Sequence, residues 1–425
     1  MAARVLATAP RGGGAETPTL SGASLVDIVV GSRRPGELTL AVAIAVVACA
    51  VYLLSAPPSQ PIDYFVRLAD AFLHGRIYLT EAPSWLNELV PADTGWYVPY
   101  PPMPAIVLLP FVAIFGTDVP QQVVSSIAGG ASAGLMFLAF GRLGLLGWAR
   151  VGLVAVFAFG TVLWWGSSEG SAWLLAQAVA VLFSAGALLL ATHRRWPLVV
   201  GLLLGCATIS RLPVGLTAPF FLALVVGLPL PFGRDDLRRA LRPGIAFAIG
   251  LAIPLAGHAL YNLARWGTPL DAGYVLIPGV LEDPIYADHG ILSIYYLPRH
   301  VYAIFLRSFD YRAEFPWFRP SWWGLSLFLT TPLYLWLARA PFRDPRVRWA
   351  LVATALAAIP IVTHGNVGIA QWGYRFSLDV QVPLFAILAL TFALRTSRLA
   401  VVAGAVAIAV NLYGVIAIRN GFVGY

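Results

Sequence analysis

The chain has 425 residues, of which 59% are hydrophobic and only 11% charged, and its mean hydropathy is +0.77. A soluble domain is closer to half apolar and a quarter charged, so a soluble enzyme and a disordered chain are excluded. The net charge of +8 comes from 28 arginines and no lysine, placed mostly between apolar runs; this is the distribution of a membrane protein and not of a nucleic-acid binder.

Residues 1–36 are rich in Gly, Ala, Pro, Ser and Arg and read as a flexible cytoplasmic tail without the order of a signal peptide. Residues 37–425 read as one transmembrane domain. A spanning helix needs about 20 mostly apolar residues. Twelve runs qualify as candidates: 38–55, 101–116, 121–141, 151–166, 171–191, 197–210, 212–230, 244–263, 321–338, 349–364, 380–394 and 399–418. The run at 101–116 is short and follows Pro99, with Pro101, Pro102, Pro104 and Pro110 inside it, so it reads as an interfacial or re-entrant helix. Cys49 and Cys206 both lie inside apolar runs, which argues against a disulfide framework. The absence of lysine points to GC-rich, bacterial coding.

Eleven spans remain, with the N-terminus inside. The inside then holds 18 Arg against 6 acids, and the outside 10 Arg against 14 acids. That asymmetry fixes the expected orientation in a cell membrane. The turn at Arg211 is too tight for two full spans, so the boundaries there are soft. The expected fold is an all-α polytopic membrane helix bundle of about 11 transmembrane helices, with interfacial helices in its first outer loop. Outer segments at about 56–120, 264–320 and 365–379 are long enough to build a site over the bundle.

The first outer loop opens PIDYFVRLADAFLHGRIYL. Pro61 suits a helix start. Asp63, Arg67, Asp70 and His74 then share one helical face, and Phe65, Leu68, Ala69 and Phe72 share the other. This predicts an amphipathic helix in the membrane interface, ended by Gly75, with Arg67 and Asp70 paired. Asp63 has two readings: a general base at the lipid–water boundary, or an acid favoured at a helix N-terminus. Further on come Glu88, Asp93, Trp96, Tyr97 and Tyr100. They read as an interfacial aromatic belt or as a carbohydrate site, where ring faces sit beside carboxylates.

Glu169 lies in a short polar connection and faces water or a cavity. Arg211, beside Pro213, would cost about 2.5 to 3.5 kcal/mol in hydrocarbon, so it faces protein, water or an anion, or snorkels to headgroups. His258 precedes a cluster of Tyr261, Arg265, Asp271 and Tyr274. His364 precedes Gln371, Tyr374, Arg375 and Asp379. Arg375 either binds phosphate or pairs with Asp379. There is no Walker A loop and no HExxH motif, so no cofactor is expected. The spans hold almost no ionisable residue near their middles, which argues against proton-coupled transport.

This layout resembles the GT-C superfamily of integral-membrane glycosyltransferases. The carriers of the resemblance are Asp63 in PIDYFVRLADAFLHG, the interfacial YPPMPAIVLLPFVAIFG, ATISRLP, YNLARWGTPLDAGY and QWGYRFSLDVQVP. The resemblance implies a polyprenyl-phosphate-sugar donor and a glycan, lipid or protein acceptor, with transfer on the extracytoplasmic face. It implies Asp63 as general base and Arg211 and Arg375 as donor-phosphate ligands. Asp93, Tyr97, Tyr100, Glu169, His258, Tyr261, Tyr274, His364 and Tyr374 would line the substrate. The family often has a second acid after the first; here Tyr64 follows Asp63, so no metal is implied. A lipid-linked sugar flippase or small-solute transporter is the alternative, and an inactive envelope-assembly protein is a third reading.

Overall fold

The computed structural model describes residues 36–58 and 62–422. The expected tail, apart from Gly36, and Pro61 lie outside the described residues.

The structure is a helix bundle with two small hairpins. In order come α1 (Glu37–Ser55), α2 (Tyr64–Leu73), β1 (Val90–Ala92), β2 (Gly95–Tyr97), α3 (Met103–Phe115), α4 (Gln121–Arg142), α5 (Gly147–Phe159), α6 (Leu163–Glu169), α7 (Ala172–Thr192), α8 (Pro197–Thr208) and α9 (Ala218–Val226). Then follow α10 (Arg234–Trp266), α11 (Leu297–Phe305), β3 (Asp310–Tyr311), β4 (Phe318–Arg319), α12 (Leu327–Thr330), α13 (Pro345–Thr363), α14 (Gln381–Leu394) and α15 (Arg398–Arg419). Short 3-10 segments lead into α9 and α14 and follow α12. The helices α4, α7 and α14 form the buried centre, where Phe140, Phe157, Tyr334 and Phe385 pack together. Around them, α1, α10 and α15 expose Val42, Val46, Ile245, Ile249, Ile253, Val402 and Val406. Spacings of four residues put each set on one face, and apolar faces of that extent belong against hydrocarbon. The chain is a multi-pass membrane protein.

Among the described residues, seven helices are long and apolar enough to cross, or eight if the bent pair α5–α6 is one span. The expectation of about eleven is not confirmed on length. Of the runs read as spans, 197–210 gives a helix of 12 residues and 212–230 gives a 3-10 turn plus a helix of 9. The run 321–338 gives 4 α-helical residues and a 3-10 segment. At 1.5 Å per residue, α8 covers about 18 Å of a roughly 30 Å hydrocarbon layer. The tight turn at Arg211 is therefore recessed. The helix α3 has 13 residues with Pro110 inside, also short of a span, and packs on α2.

Two features let this backbone survive away from water. The α5–α6 pair bends by 50°. Carbonyls freed at the bend accept from side chains elsewhere: Tyr52 bonds Ala158 at 2.9 Å, Gln381 bonds Phe157 at 3.2 Å and Thr331 bonds Gly160 at 2.8 Å. Irregular backbone at membrane depth needs such partners. The α8–α10 contact is backbone against backbone. A Cβ on Gly201 would sit 2.0 Å from the Phe247 oxygen, and one on Gly250 would sit 1.9 Å from the Leu198 oxygen. Gly201 and Gly205 share one face of α8, the small-residue spacing that lets membrane helices approach.

The bundle has two unlike ends. Arg142, Arg194 and Arg346 gather around one cavity at one end. Asp63, Glu88, Glu169, Arg211 and Arg375 belong to the other.

Candidate active site

Arg375 is the centre of the second end. It opens the 3-10 turn before α14, and its backbone is held on both sides. Gln177 on α7 donates to its carbonyl at 3.1 Å, and its own N–H donates to Gln371 at 3.4 Å. The guanidinium lies 5.7 Å from the Trp173 ring centroid and 5.4 Å from that of Phe376. Its Nε is buried and unbonded, and among the described residues it forms no ion pair. The charges it feels are those of Arg211, Glu88 and Glu169, together with the Tyr274 hydroxyl group.

Arg211 is different. It donates through Nε and Nη2 to the two oxygens of Asp379 at 3.1 and 2.9 Å, and the Asp379 side chain is fully buried. The Arg375–Asp379 pairing weighed from the sequence is thus corrected: Asp379 belongs to Arg211. The Arg211 guanidinium also lies 5.6 Å from Phe376, so that one ring sits against both arginines.

Two acids face this basic centre. Glu169 ends α6, where Gly170 turns the chain at φ 61°. Glu88 lies in the first loop, with its backbone N–H bonded to the Tyr64 hydroxyl at 2.8 Å. Burial pushes the Glu88 carboxyl up to about 7, against the opposing pull of Arg375, and its Oε2 has no hydrogen-bond partner. A carboxyl poised near neutrality, in reach of a cation's field, is the type found at sites that move protons.

Asp63 is tied to residues of the first loop. It precedes α2, accepting from Arg67 Nε at 2.9 Å and from Trp85 Nε1 at 3.0 Å. The expected Arg67–Asp70 pair is corrected, because Arg67 turns back to Asp63, and Asp70 faces His74 at 3.5 Å and Arg76 at 3.9 Å. Gln121 anchors the neighbourhood, donating to the Ile62 carbonyl at 2.8 Å and to the Gly170 carbonyl at 3.5 Å. The residues next to Asp63 and Glu169 are therefore clamped by one side chain.

An aromatic wall closes the site. The Tyr274 and Tyr286 hydroxyls are 3.1 Å apart, and both rings pack on His364. Burial, then the nearby Arg211, His300 and Arg375 charges, lower the His364 imidazole to about 4, so it stays neutral. Tyr100 accepts from Trp173 Nε1 at 2.9 Å, which ties the first loop to the ring beside Arg375.

Other expected substrate residues are committed elsewhere. The Tyr374 hydroxyl bonds buried His300 at 2.7 Å, and His300 in turn bonds the His364 carbonyl at 2.7 Å. His258 lies 3.2 Å from both Asp271 and Asn262 in a buried knot that includes Arg265. The Arg265 guanidinium stacks 3.8 Å from Tyr261 and bonds the Val98 carbonyl. Tyr97 packs edge-on to Trp266. The Arg265–Val98 and Tyr97–Trp266 contacts join the end of α10 to the first loop. Asp93 is exposed at the turn of the β1–β2 hairpin.

No family model matches the chain, and no curated protein matches it. Among solved structures, ArnT from Cupriavidus metallidurans, a lipid A aminoarabinose transferase bound to undecaprenyl phosphate, is 18% identical at a TM-score of 0.48. The match covers 90% of this chain and 63% of that one. The S. cerevisiae protein O-mannosyltransferase Pmt1-Pmt2 complex, bound to its sugar donor, is 15% identical at a TM-score of 0.39, covering 64% of this chain and 38% of that one. Both are GT-C membrane glycosyltransferases. The chain is similar to them. It spans less than two thirds of the length of either.

Sequence reasoning missed Trp173, Gln177 and Tyr286. A signal existed for the first two: Glu169, Trp173 and Gln177 recur every four residues, and Gln177 is a lone amide in an apolar run. Tyr286 sits in a loop without periodicity.

Proposed function

We propose that the chain is a membrane glycosyltransferase that moves a hexosyl or pentosyl group from a polyprenyl-phosphate donor to a hydroxyl of a glycan, lipid or protein on the extracytoplasmic face. The observation that carries this reading is Arg375: a guanidinium without an ion pair among the described residues, flanked by aromatic rings, at one end of a membrane bundle. An unpaired buried charge is costly unless a ligand completes it. A phosphate with a hydrocarbon tail is such a ligand, and arginine matches its geometry.

The chemistry follows from the arrangement. The acceptor oxygen attacks the anomeric carbon and passes its proton to the Asp63 carboxylate. The bond from that carbon to the phosphate oxygen breaks. The polyprenyl phosphate leaves with one more negative charge, which Arg375 stabilises, with Arg211 behind it. One displacement inverts the anomeric centre. The two donors on Asp63 keep a carboxylate oriented without consuming all of its lone pairs.

A second reading is favoured by the state of Glu88. With its carboxyl near 7 and one oxygen unbonded, Glu88 is the alternative proton acceptor.

The test is a transfer assay with purified protein in nanodiscs, using polyprenyl-phosphate sugars and a membrane-lipid extract. Wild type should transfer; Asp63→Asn should lose transfer while retaining donor binding. Full turnover in Asp63→Asn with loss in Glu88→Gln would move the base to Glu88. Movement of donor sugar across vesicles with no bond made would replace the enzyme reading with the flippase one.

A further inference from the structure

The arginine-rich end of the bundle holds a cavity of about 600 Å³, remote from the candidate active site. It opens between the ends of α4 and α7, the start of α13 and one face of α9. Its polar lining is Arg142, Thr192, Arg194, Asp344 and Arg346, and its floor includes Phe220, Leu224 and Trp349. Three arginines against one aspartate leave an excess of positive charge. Asp344 is already spent: it caps α13 by accepting from the Arg346 N–H at 2.8 Å and pairs with the Arg346 guanidinium at 2.7 Å. Arg194 is not spent. It leaves α7 at φ 52°, its guanidinium lies against Gly227, and among the described residues that guanidinium has no hydrogen bond or ion pair.

A second cavity of about 320 Å³ adjoins the first and shares Leu228 and Trp349 with it. Every residue lining it is apolar or glycine, among them Leu222, Phe247, Ala248 and Leu251. It runs between α9 and α10, where Ile245 and Ile249 of α10 are exposed to the surroundings of the bundle. The shared indole is fixed, because Trp349 Nε1 donates to the Leu228 carbonyl at 3.1 Å. A basic chamber that continues into a hydrocarbon-lined groove has the polarity of one molecule: an anionic head on an apolar chain. A free anion would leave the groove unfilled, and a neutral lipid would leave Arg194 unpaired.

We propose that this paired cavity binds an anionic phospholipid, with its phosphate on Arg194 and an acyl chain in the groove between α9 and α10. Basic pockets between membrane helices on the arginine-rich side recognise such headgroups. The lipid would brace α9, a short helix whose neighbours α7, α10 and α13 meet at this cavity.

The test is native mass spectrometry on delipidated, full-length protein given equal phosphatidylglycerol and phosphatidylcholine. One phosphatidylglycerol should be retained per chain, in preference to phosphatidylcholine. Arg194→Gln should weaken retention about fivefold, the contribution of one arginine at a membrane surface. Ala248→Phe, which fills the groove and leaves the arginines in place, should weaken it as well, with both variants eluting as wild type does in size exclusion. Equal retention of the two lipids would overturn the proposal, and that comparison needs no variant. Displacement of the lipid by inorganic phosphate alone would reduce the cavity to an anion site. Preference for polyprenyl phosphate over phosphatidylglycerol would make it a second site for the donor's carrier and would equally overturn the phospholipid assignment.

Discussion

Arg375 and Glu88 illustrate how a few side chains acquire their properties from where they are placed. Arg375 keeps a charge beside Trp173 and Phe376 with its Nε unbonded. Arg375→Gln is therefore expected to lower kcat/KM at least about 100-fold, the loss typical of removing one donor that stabilises a developing anion. Its thermal midpoint should not fall, since no native ion pair is broken. A fold loss with intact turnover would remove Arg375 from the site. The Glu88 carboxyl is raised from its ordinary 4.5 to about 7 by burial. A raised acid favours the folded state while protonated, so its contribution is full below about pH 4.5 and lost as pH rises through about 7. Glu88→Gln should flatten the decline in unfolding midpoint between about pH 5 and pH 8. An unchanged slope would show that Glu88 is not buried as described. The candidate acids and arginines were legible as residue types in an apolar sequence. Their partners were not: Arg67 had Asp63 and Asp70 at comparable spacing, and only the path of the loop, with Trp85 brought onto Asp63, selects between them.

At the scale of elements, the short helices decide the depth of the site. The helices α8 and α9, of 12 and 9 residues, are each shorter than a span, and the turn between them carries Arg211 to Asp379. The α8–α10 pair holds that geometry through glycine. Gly250→Ala would place a Cβ 1.9 Å from the Leu198 oxygen, and should cost about 1–3 kcal/mol as overpacking. Thermal unfolding in detergent reads this directly. Gly152→Ala in α5 is the control, because nothing lies within 4 Å of its added Cβ. Equal behaviour of the two variants would mean that α8 and α10 do not touch as described. Hydropathy located every one of these elements but overstated three of them. An apolar run reports burial or lipid contact alike, and it does not say whether the backbone stays α-helical throughout.

On the scale of the whole molecule, the two ends carry opposite chemistry. One gathers Arg142, Arg194 and Arg346; the other gathers carboxylates around Arg375 and Arg211. Our proposal, from the arginine rule, is that the first end faces the cytoplasm. With Cys49 and Cys206 replaced, a cysteine at Glu282 should react with a membrane-impermeant maleimide on intact cells, and one at Arg239 only after lysis. The reverse pattern would invert the orientation and put the candidate site inside.

The sequence by itself determined the class of the molecule. Its composition, its apolar runs and the placement of its arginines define a polytopic helical membrane protein with long loops on one side, because lipid imposes length and polarity on every crossing segment. It also marked the residues able to do chemistry, since ionisable groups are rare in such a chain. Only the tertiary structure decided which of them are free to act. Tyr374 and His258 are held by His300 and Asp271, and Arg211 is held by Asp379. Arg375 and the Glu88 carboxyl are left facing each other's field. The reason is physical: a side chain's availability depends on hydrogen-bond partners far off in the chain, 198 residues away for Gln177 and Arg375, and no local pattern encodes those distances.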